Sequence, residues 1–127
     1  MNTKVELAAP TFRDERGDII NVVNEHHGSV VVITSKQGTD RANHWHRGSA
    51  HTCFVISGCI EYLERPVGSK LPPMRYVFGA GEAFYTPPNV EHRMHFLNDT
   101  VFLTLGTQSR LPNDYEADLV RLTEPLK

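Results

Sequence analysis

Cysteine, long apolar runs and a dominant charge are all scarce in this 127-residue chain, and each scarcity excludes a class of protein. Cys53 and Cys59 are the only cysteines, too few for the disulfide framework of a small secreted domain. No 18 apolar residues run together, which argues against a transmembrane helix. The first ten residues lack the apolar core of a signal peptide. We therefore expect a cytoplasmic, soluble protein with reduced thiols and no membrane partner.

The charges are nearly balanced, with 13 basic and 15 acidic residues. No basic run gathers on one segment, as a nucleic-acid-binding surface would require, so we expect no nucleic-acid partner. The chain is 39% apolar and 22% charged, values typical of a globular protein. The sequence contains no linker, internal repeat or low-complexity tract. These features predict one domain over residues 1–127.

A sustained helical repeat is also lacking. Short runs of β-branched and aromatic residues alternate with glycine and proline, a pattern that predicts an all-β sandwich or barrel. Asp114–Leu122 fits either a final strand or a short helix, and strand is favoured. Nine other strands are predicted: Asp18–Val23, Ser29–Lys36, Ala42–His46, His51–Ser57, Cys59–Glu64, Arg75–Phe78, Ala83–Thr86, Glu91–Leu97 and Val101–Thr107.

Histidine, by contrast, is abundant, with seven in the chain. Because side chains alternate along a strand, His44 and His46 are expected on one face and Trp45 on the other. His51 follows a short turn and begins the next strand, where hairpin pairing would return it to the first two. The spacing therefore predicts a group of imidazoles on one side of two paired strands.

This spacing resembles the first sequence motif of the cupin superfamily. The motif has the form Gly38-x5-His44-x-His46-x4-His51-x6-Gly58, and His51 stands where cupins usually carry glutamate. The resemblance implies a small single-domain cupin with four histidines.

A second stretch resembles the other cupin motif. Gly81-x5-Pro87 is followed at the matching interval by His92, with Asn89 where glycine is usual. Asparagine tolerates the left-handed backbone that glycine would supply there. The resemblance spans residues 38–98 and implies a double-stranded β-helix, an all-β jelly-roll-like barrel. Because cupins commonly pair, it also implies a homodimer.

The resemblance further implies a metal site whose ligands are His44, His46, His51 and His92. The expected cofactor is a divalent transition metal, with iron, manganese, nickel, copper and zinc all compatible with imidazole ligands. Four neutral imidazoles leave the full charge of the metal uncancelled, so the site should favour anionic ligands. The leading hypothesis is a metal-dependent dioxygenase or isomerase that acts on a small oxygenated or anionic substrate.

Two alternatives stay open. The first is a metal-independent sugar-nucleotide isomerase or epimerase that uses His44 or His46 as base beside a tyrosine acid. Two segments keep a carbohydrate-related function open: the Asp14-x-Arg16-Gly17 turn resembles that of sugar-nucleotide epimerases of the cupin class, and residues 41–46 resemble a strand in cupins linked to cell-surface polysaccharides. A polar turn before the first long strand explains the former equally well, and the clustered histidines at ligand spacing argue against this alternative. The second is a non-catalytic module that binds a sugar or small anion.

The alternation of side chains along strands also predicts which face other polar residues occupy. His95 lies three residues after His92 and is expected on the opposite face. Cys53 shares a face with His51, and a small buried residue is the favoured interpretation. Acid or base roles are considered for three residues, on the condition that they reach the cavity: Tyr62, Tyr85 and Glu82.

Overall fold

The computed structural model of the protein describes residues 3–5 and 8–127. In that part of the chain, twelve strands and one short helix follow one another. They are β1 (Lys4–Val5), β2 (Ala8–Asp14), β3 (Gly17–Asn21), β4 (Ser29–Ser35), β5 (Asp40–His46), β6 (His51–Ser57), β7 (Cys59–Pro66), β8 (Met74–Gly79), β9 (Ala83–Thr86), β10 (Val90–Phe96), β11 (Thr100–Gly106), α1 (Pro112–Asp118) and β12 (Leu119–Arg121).

Ten of these strands form two five-stranded antiparallel sheets. Their orders are β1-β9-β6-β11-β4 and β12-β5-β10-β7-β8, and β2 and β3 form a separate hairpin. Strands that are distant in sequence, such as β5 and β10, become neighbours. The predicted all-β, jelly-roll-like fold is confirmed.

Aromatic side chains fill the space between the two sheets. Phe96 of β10 stacks on Phe102 of β11 with ring centres 5.7 Å apart, and Phe78 of β8 stacks on Phe84 of β9 at 4.6 Å. Each pair joins one sheet to the other, and all four rings are almost completely buried. Their packing fixes the positions of the strands that carry the histidines.

The carboxyl-terminal segment differs from its predicted form. The strand favoured over Asp114–Leu122 is wrong for its first half, because helix α1 covers Pro112–Asp118, and β12 occupies only Leu119–Arg121. Pro112 at the start of the helix explains the difference, since its fixed φ suits a first helical turn and its missing N–H costs nothing there. The helix ends where β12 pairs with β5.

The amino-terminal hairpin was predicted only in part. The strand expected at Asp18–Val23 is observed as β3, and its partner β2 was not predicted. Asp14 accepts a hydrogen bond from the backbone N–H of Arg16 and so closes the turn between them. The turn at Asp14–Gly17, which resembles that of sugar-nucleotide epimerases, therefore has an ordinary structural role in joining β2 to β3.

Asn89 has a φ of 62°, the left-handed conformation that glycine usually supplies in the second motif. Its N–H donates to the carbonyl of His46 at 2.8 Å. The presence of asparagine instead of glycine therefore preserves the turn before β10, as the sequence predicts.

No helix among the described residues is long and apolar enough to cross a membrane.

Candidate active site

A cavity of about 480 Å³ opens between the sheets and contains all four histidines of the predicted set. His44 and His46 come from β5, His51 from β6 and His92 from β10. His44 lies directly opposite His92 in the antiparallel pair β5–β10, which brings the two motifs together. Alternation along β5 then adds His46 to the same interior face.

The four rings are close but not equivalent. Ring centres lie 4.7 Å apart for His44 and His92, 4.8 Å for His44 and His46, and 4.3 Å for His46 and His51. One nitrogen from each of His44, His46 and His92 lies within 4.8 Å of the others. His51 is outside this three-nitrogen cluster, and its Nε2 lies 3.2 Å from the hydroxyl of Ser49.

His46 is held by a carboxylate from helix α1. Its Nδ1 lies 2.9 Å from Oδ2 of Asp118, while Oδ1 of Asp118 accepts the backbone N–H groups of Gly48 and Ser49 at 2.8 and 3.2 Å. A carboxylate can only accept, so Nδ1 of neutral His46 carries the proton and Nε2 keeps its lone pair. The pair therefore prepares His46 to act as a base.

Burial keeps the imidazoles of this cavity neutral. It lowers the pKa of His44 to about 2 and that of His51 to about 3, with further lowering from neighbouring histidines. The pKa of His92 falls to about 4 for the same first reason, although its hydrogen bond to the carbonyl of Val90 opposes the shift. Burial also lowers the pKa of His46, against the opposing effect of Asp118. At neutral pH these rings offer lone pairs rather than positive charge.

Positive charge is supplied instead by two arginines. Arg41 and Arg110 line the cavity, and no aspartate or glutamate is among its described lining residues. The guanidinium of Arg110 lies 4.4 Å above the ring of Tyr115, which also lines the cavity. This charge pattern suits an anionic ligand. The sequence predicts such a ligand for a different reason, the uncancelled charge of a metal bound by four neutral imidazoles.

Asp118 and Tyr115 were missed as site residues. Both lie on α1, three residues apart, so the helix presents them on one side. The ring centre of Tyr115 is 5.9 Å from that of His46. An aromatic and an acid at helical spacing, after a proline, were the available signal, but a strand interpretation of the segment would have put them on opposite faces.

Two other residues considered from the sequence have no evident chemical role in the histidine cluster. His95 points away and pairs with Asp40 at 2.6 Å. Cys53 lines the cavity, but burial raises the pKa of its thiol to about 12, so the thiol stays protonated.

Tyr62, Tyr85 and Glu82 are not among the residues that line the histidine cavity. Tyr62 is fully buried and its hydroxyl lies 2.6 Å from that of Thr86. Glu82 binds the backbone N–H of Gly79 and the ammonium group of Lys4.

A comparison with protein families decides the classification. The family described as "Cupin domain" matches residues 31–105, more than half of the chain. The chain belongs to the cupin domain family. The cupin resemblance seen in the two histidine motifs is thereby confirmed. A search of curated protein sequences found no match to this cupin.

Solved structures with similar folds include three proteins of sugar metabolism. The capsular polysaccharide assembling protein CapF from Staphylococcus aureus is 24% identical, with a TM-score of 0.68 over 92% of this chain and 34% of CapF. The sugar 3,4-ketoisomerase QdtA from Thermoanaerobacterium thermosaccharolyticum, in complex with TDP, is 16% identical, with a TM-score of 0.73 over 97% and 88% of the two chains. The dTDP-4-dehydrorhamnose 3,5-epimerase from Elizabethkingia anophelis is 19% identical, with a TM-score of 0.71 over 87% and 70%.

These identities establish a common fold, and the named activities are those of the neighbours. This cupin spans about a third of the length of CapF.

The comparisons correct one prediction. A divalent transition metal (iron, manganese, nickel, copper or zinc) was expected as cofactor on His44, His46, His51 and His92. The ketoisomerase and epimerases among the neighbours need no metal. Membership of the cupin family therefore does not imply a bound metal. The three grouped imidazoles of His44, His46 and His92 are only a possible metal site. The physical reason is that buried neutral imidazoles can equally serve as bases and hydrogen-bond acceptors.

Proposed function

We propose that the protein is a metal-independent sugar-nucleotide isomerase or epimerase, in which His46 removes a proton from the carbon beside a sugar keto group. The observation that carries the proposal is the His46–Asp118 pair in a cavity without acidic lining residues. The fold that the chain shares with QdtA and the epimerase adds support.

The proposed chemistry uses the groups around His46. Nε2 of His46 takes the proton, the electrons of the C–H bond form an enolate, and Asp118 stabilises the imidazolium that results. In an isomerase, the proton of the neighbouring hydroxyl then moves to the enolate oxygen, so that the new carbonyl forms at the deprotonated carbon, and His46 returns its proton to the carbon that carried the keto group. An epimerase returns a proton to the opposite face, and Tyr115 is the acid that we assign to this step. Arg110 beside Tyr115 suits the diphosphate of such a substrate.

The test is exchange of substrate protons with solvent. A dTDP-linked 4-keto-6-deoxy sugar is incubated in D2O, and loss of the signals from the protons beside the keto group is followed by NMR. We expect exchange with the wild type and a rate about 10² to 10⁴ times lower for His46→Asn, the range that a general base contributes. His95→Asn, altered on the outer face, is the control and should match the wild type. An absence of exchange in the wild type, or full exchange in His46→Asn, would refute the proposal.

Chelation provides an independent check on the same protein. The exchange rate should be unchanged after dialysis against EDTA, because no step uses a metal. A rate that disappears with EDTA and returns with one equivalent of metal would contradict the proposal. Binding of TDP without exchange would instead support the alternative of a non-catalytic sugar-binding module.

We further propose that the protein is a homodimer. The edge strand β4 exposes Val30 and Val32, with 65% and 62% of their surfaces accessible. Val32 pairs with Leu103 of β11, which pairs in turn with Phe54 of β6. An apolar row across three strands at an open sheet edge is the kind of surface that a second copy covers.

A further inference from the structure

The strand β5 contains an extra residue between Arg41 and His44. In the pairing with β10, His44 lies opposite His92 and Ala42 lies opposite Arg93, so Asn43 has no partner. Ala42 and Asn43 both have positive φ, 72° and 56°. This is a β-bulge, which adds one residue to a strand and reverses the faces that follow it.

The reversal decides where Arg41 points. Strict alternation from His44 would place Arg41 on the outer face of the sheet, three residues away. With the bulge, Arg41 lies opposite Met94, a buried residue that lines the histidine cavity, and Arg41 lines it too. The bulge therefore puts Arg41, an exposed residue, on the face of β5 that borders the histidine cavity, together with His44.

The carboxyl-terminal segment holds the bulge in place. The backbone carbonyl of Asn43 accepts the N–H of Leu122 at 2.9 Å, and its side-chain Oδ1 accepts the N–H of Leu126 at 3.0 Å. Arg93 donates to the carbonyl of Leu126 at 2.8 Å, and Leu126 is 2% exposed. Left-handed conformations cost about 1–2 kcal/mol for ordinary residues, so two in succession persist because these contacts oppose relaxation.

Arg41 is oriented but keeps donors free. Its Nε donates to the hydroxyl of Ser35 at 2.7 Å and its Nη2 to the carbonyl of Thr34 at 3.0 Å. Neither partner is charged, and no carboxylate pairs with Arg41 among the described residues. A guanidinium has five N–H donors and binds carboxylate and phosphate oxygens well. Its positive charge is therefore available to a ligand.

We propose that Asn43 is a positioning residue whose bulge turns Arg41 into the histidine cavity, where Arg41 binds an anionic group of the ligand. The choice of probe rests on the proposed function, since the diphosphate of a sugar nucleotide is such a group. The placement of Arg41 does not depend on that function.

The test compares two substitutions that remove the same hydrogen bond to Leu126. Glycine adopts positive φ freely, whereas β-branched valine resists it. We therefore expect Asn43→Gly to keep the bulge and Asn43→Val to lose it. Binding of TDP and of inorganic pyrophosphate is measured by calorimetry for the wild type, Arg41→Gln and both Asn43 variants. Arg75→Gln, which removes the exposed ion pair with Glu61, is the control.

We expect Arg41→Gln to weaken binding of both probes at least tenfold, and Asn43→Val to match it within a factor of three. Asn43→Gly and Arg75→Gln should stay within a factor of three of the wild type. Urea unfolding of each variant separates lost stability from lost binding. If Asn43→Val does not fold, the Arg41→Gln and Asn43→Gly results still decide.

Four results would overturn the inference: neither probe binds the wild type, Arg41→Gln binds normally, a folded Asn43→Val binds normally, or Asn43→Gly loses as much affinity as Arg41→Gln. The last result would give the role to the Leu126 hydrogen bond instead of the bulge. Binding that depends on Arg41, in a protein whose proton exchange does not depend on His46, would support this inference while refuting the proposed function.

Discussion

The hydrogen bond between His46 and Asp118 determines which nitrogen of His46 can act as a base. The carboxylate accepts from Nδ1 and leaves the lone pair on Nε2. The backbone N–H groups of Gly48 and Ser49 hold the other carboxylate oxygen. A substitution that keeps the shape of Asp118 but adds a donor should therefore change the chemistry more than the fold.

Asp118→Asn is such a substitution. The new amide can donate to Nδ1 of His46, which places the ring proton on Nε2 and removes the base. We expect proton exchange on the sugar nucleotide to fall about 10² to 10⁴-fold, as for loss of a general base. Asp114→Asn, on the same helix, is the matched control and should keep the wild-type rate. An Asp118→Asn protein that folds normally and exchanges at the wild-type rate would show that Asp118 does not orient a base.

The sequence predicted some residues of the site, either from local strand geometry or from a family motif. His44 and His46 share a face by alternation, and His92 joins them because a family motif links distant strands. Arg41 and Asp118 could not be predicted in this way. Arg41 depends on a bulge that reverses alternation, and Asp118 reaches His46 across 72 positions of the chain.

At the scale of elements, the turn between β6 and β7 contains Gly58, a position where neighbouring backbone leaves no room for a side chain. Gly58 has a φ of +96°, and a Cβ placed there would lie 2.5 Å from the carbonyl oxygen of Asp99 and 2.7 Å from Cα of Thr100. Both are backbone atoms and cannot move aside alone. The chain after β10 thus packs directly against this turn.

Gly58→Ala should therefore combine backbone strain with a steric clash. Strain in the left-handed region costs about 1–3 kcal/mol, and overpacking costs about 1–3 kcal/mol more. We expect the free energy of unfolding in urea to fall by about 2–6 kcal/mol. Gly38→Ala is the control, since Gly38 has a φ of +83° but no atom within 4 Å of the added Cβ. Equal losses in the two variants would contradict a role for the close approach.

Elements were predictable where side-chain pattern and packing agree. The strands that carry buried aromatic residues, β7 to β11, were expected within a few residues of their observed bounds. The strand β2 was missed because its pairing partner β3 is largely exposed, so that β3 gives little alternation of buried and exposed residues from which a hairpin could be predicted. The segment before β12 was assigned to the wrong element because its helix depends on Pro112 and on docking beside β5.

For the whole molecule, the outer face of β4 is the surface on which we propose that the homodimer assembles. Val30 is 65% exposed and pairs with Leu105 of β11, beside the row formed by Val32, Leu103 and Phe54. An edge strand with apolar side chains offers both unpaired backbone groups and apolar area to a second copy. A lysine on this surface would place a charge in such an interface, where an unpaired charge is costly to bury.

Val30→Lys should therefore convert a dimer into a monomer. Sedimentation equilibrium of the wild type should give twice the 14.3 kDa mass of the chain, and the variant should give the single mass with unchanged circular dichroism. Val77→Lys is the matched control, because Val77 is 56% exposed on β8 at the edge of the other sheet. A monomeric wild type would refute the homodimer. Val30→Lys that stays dimeric, or Val77→Lys that dissociates, would move the interface away from β4.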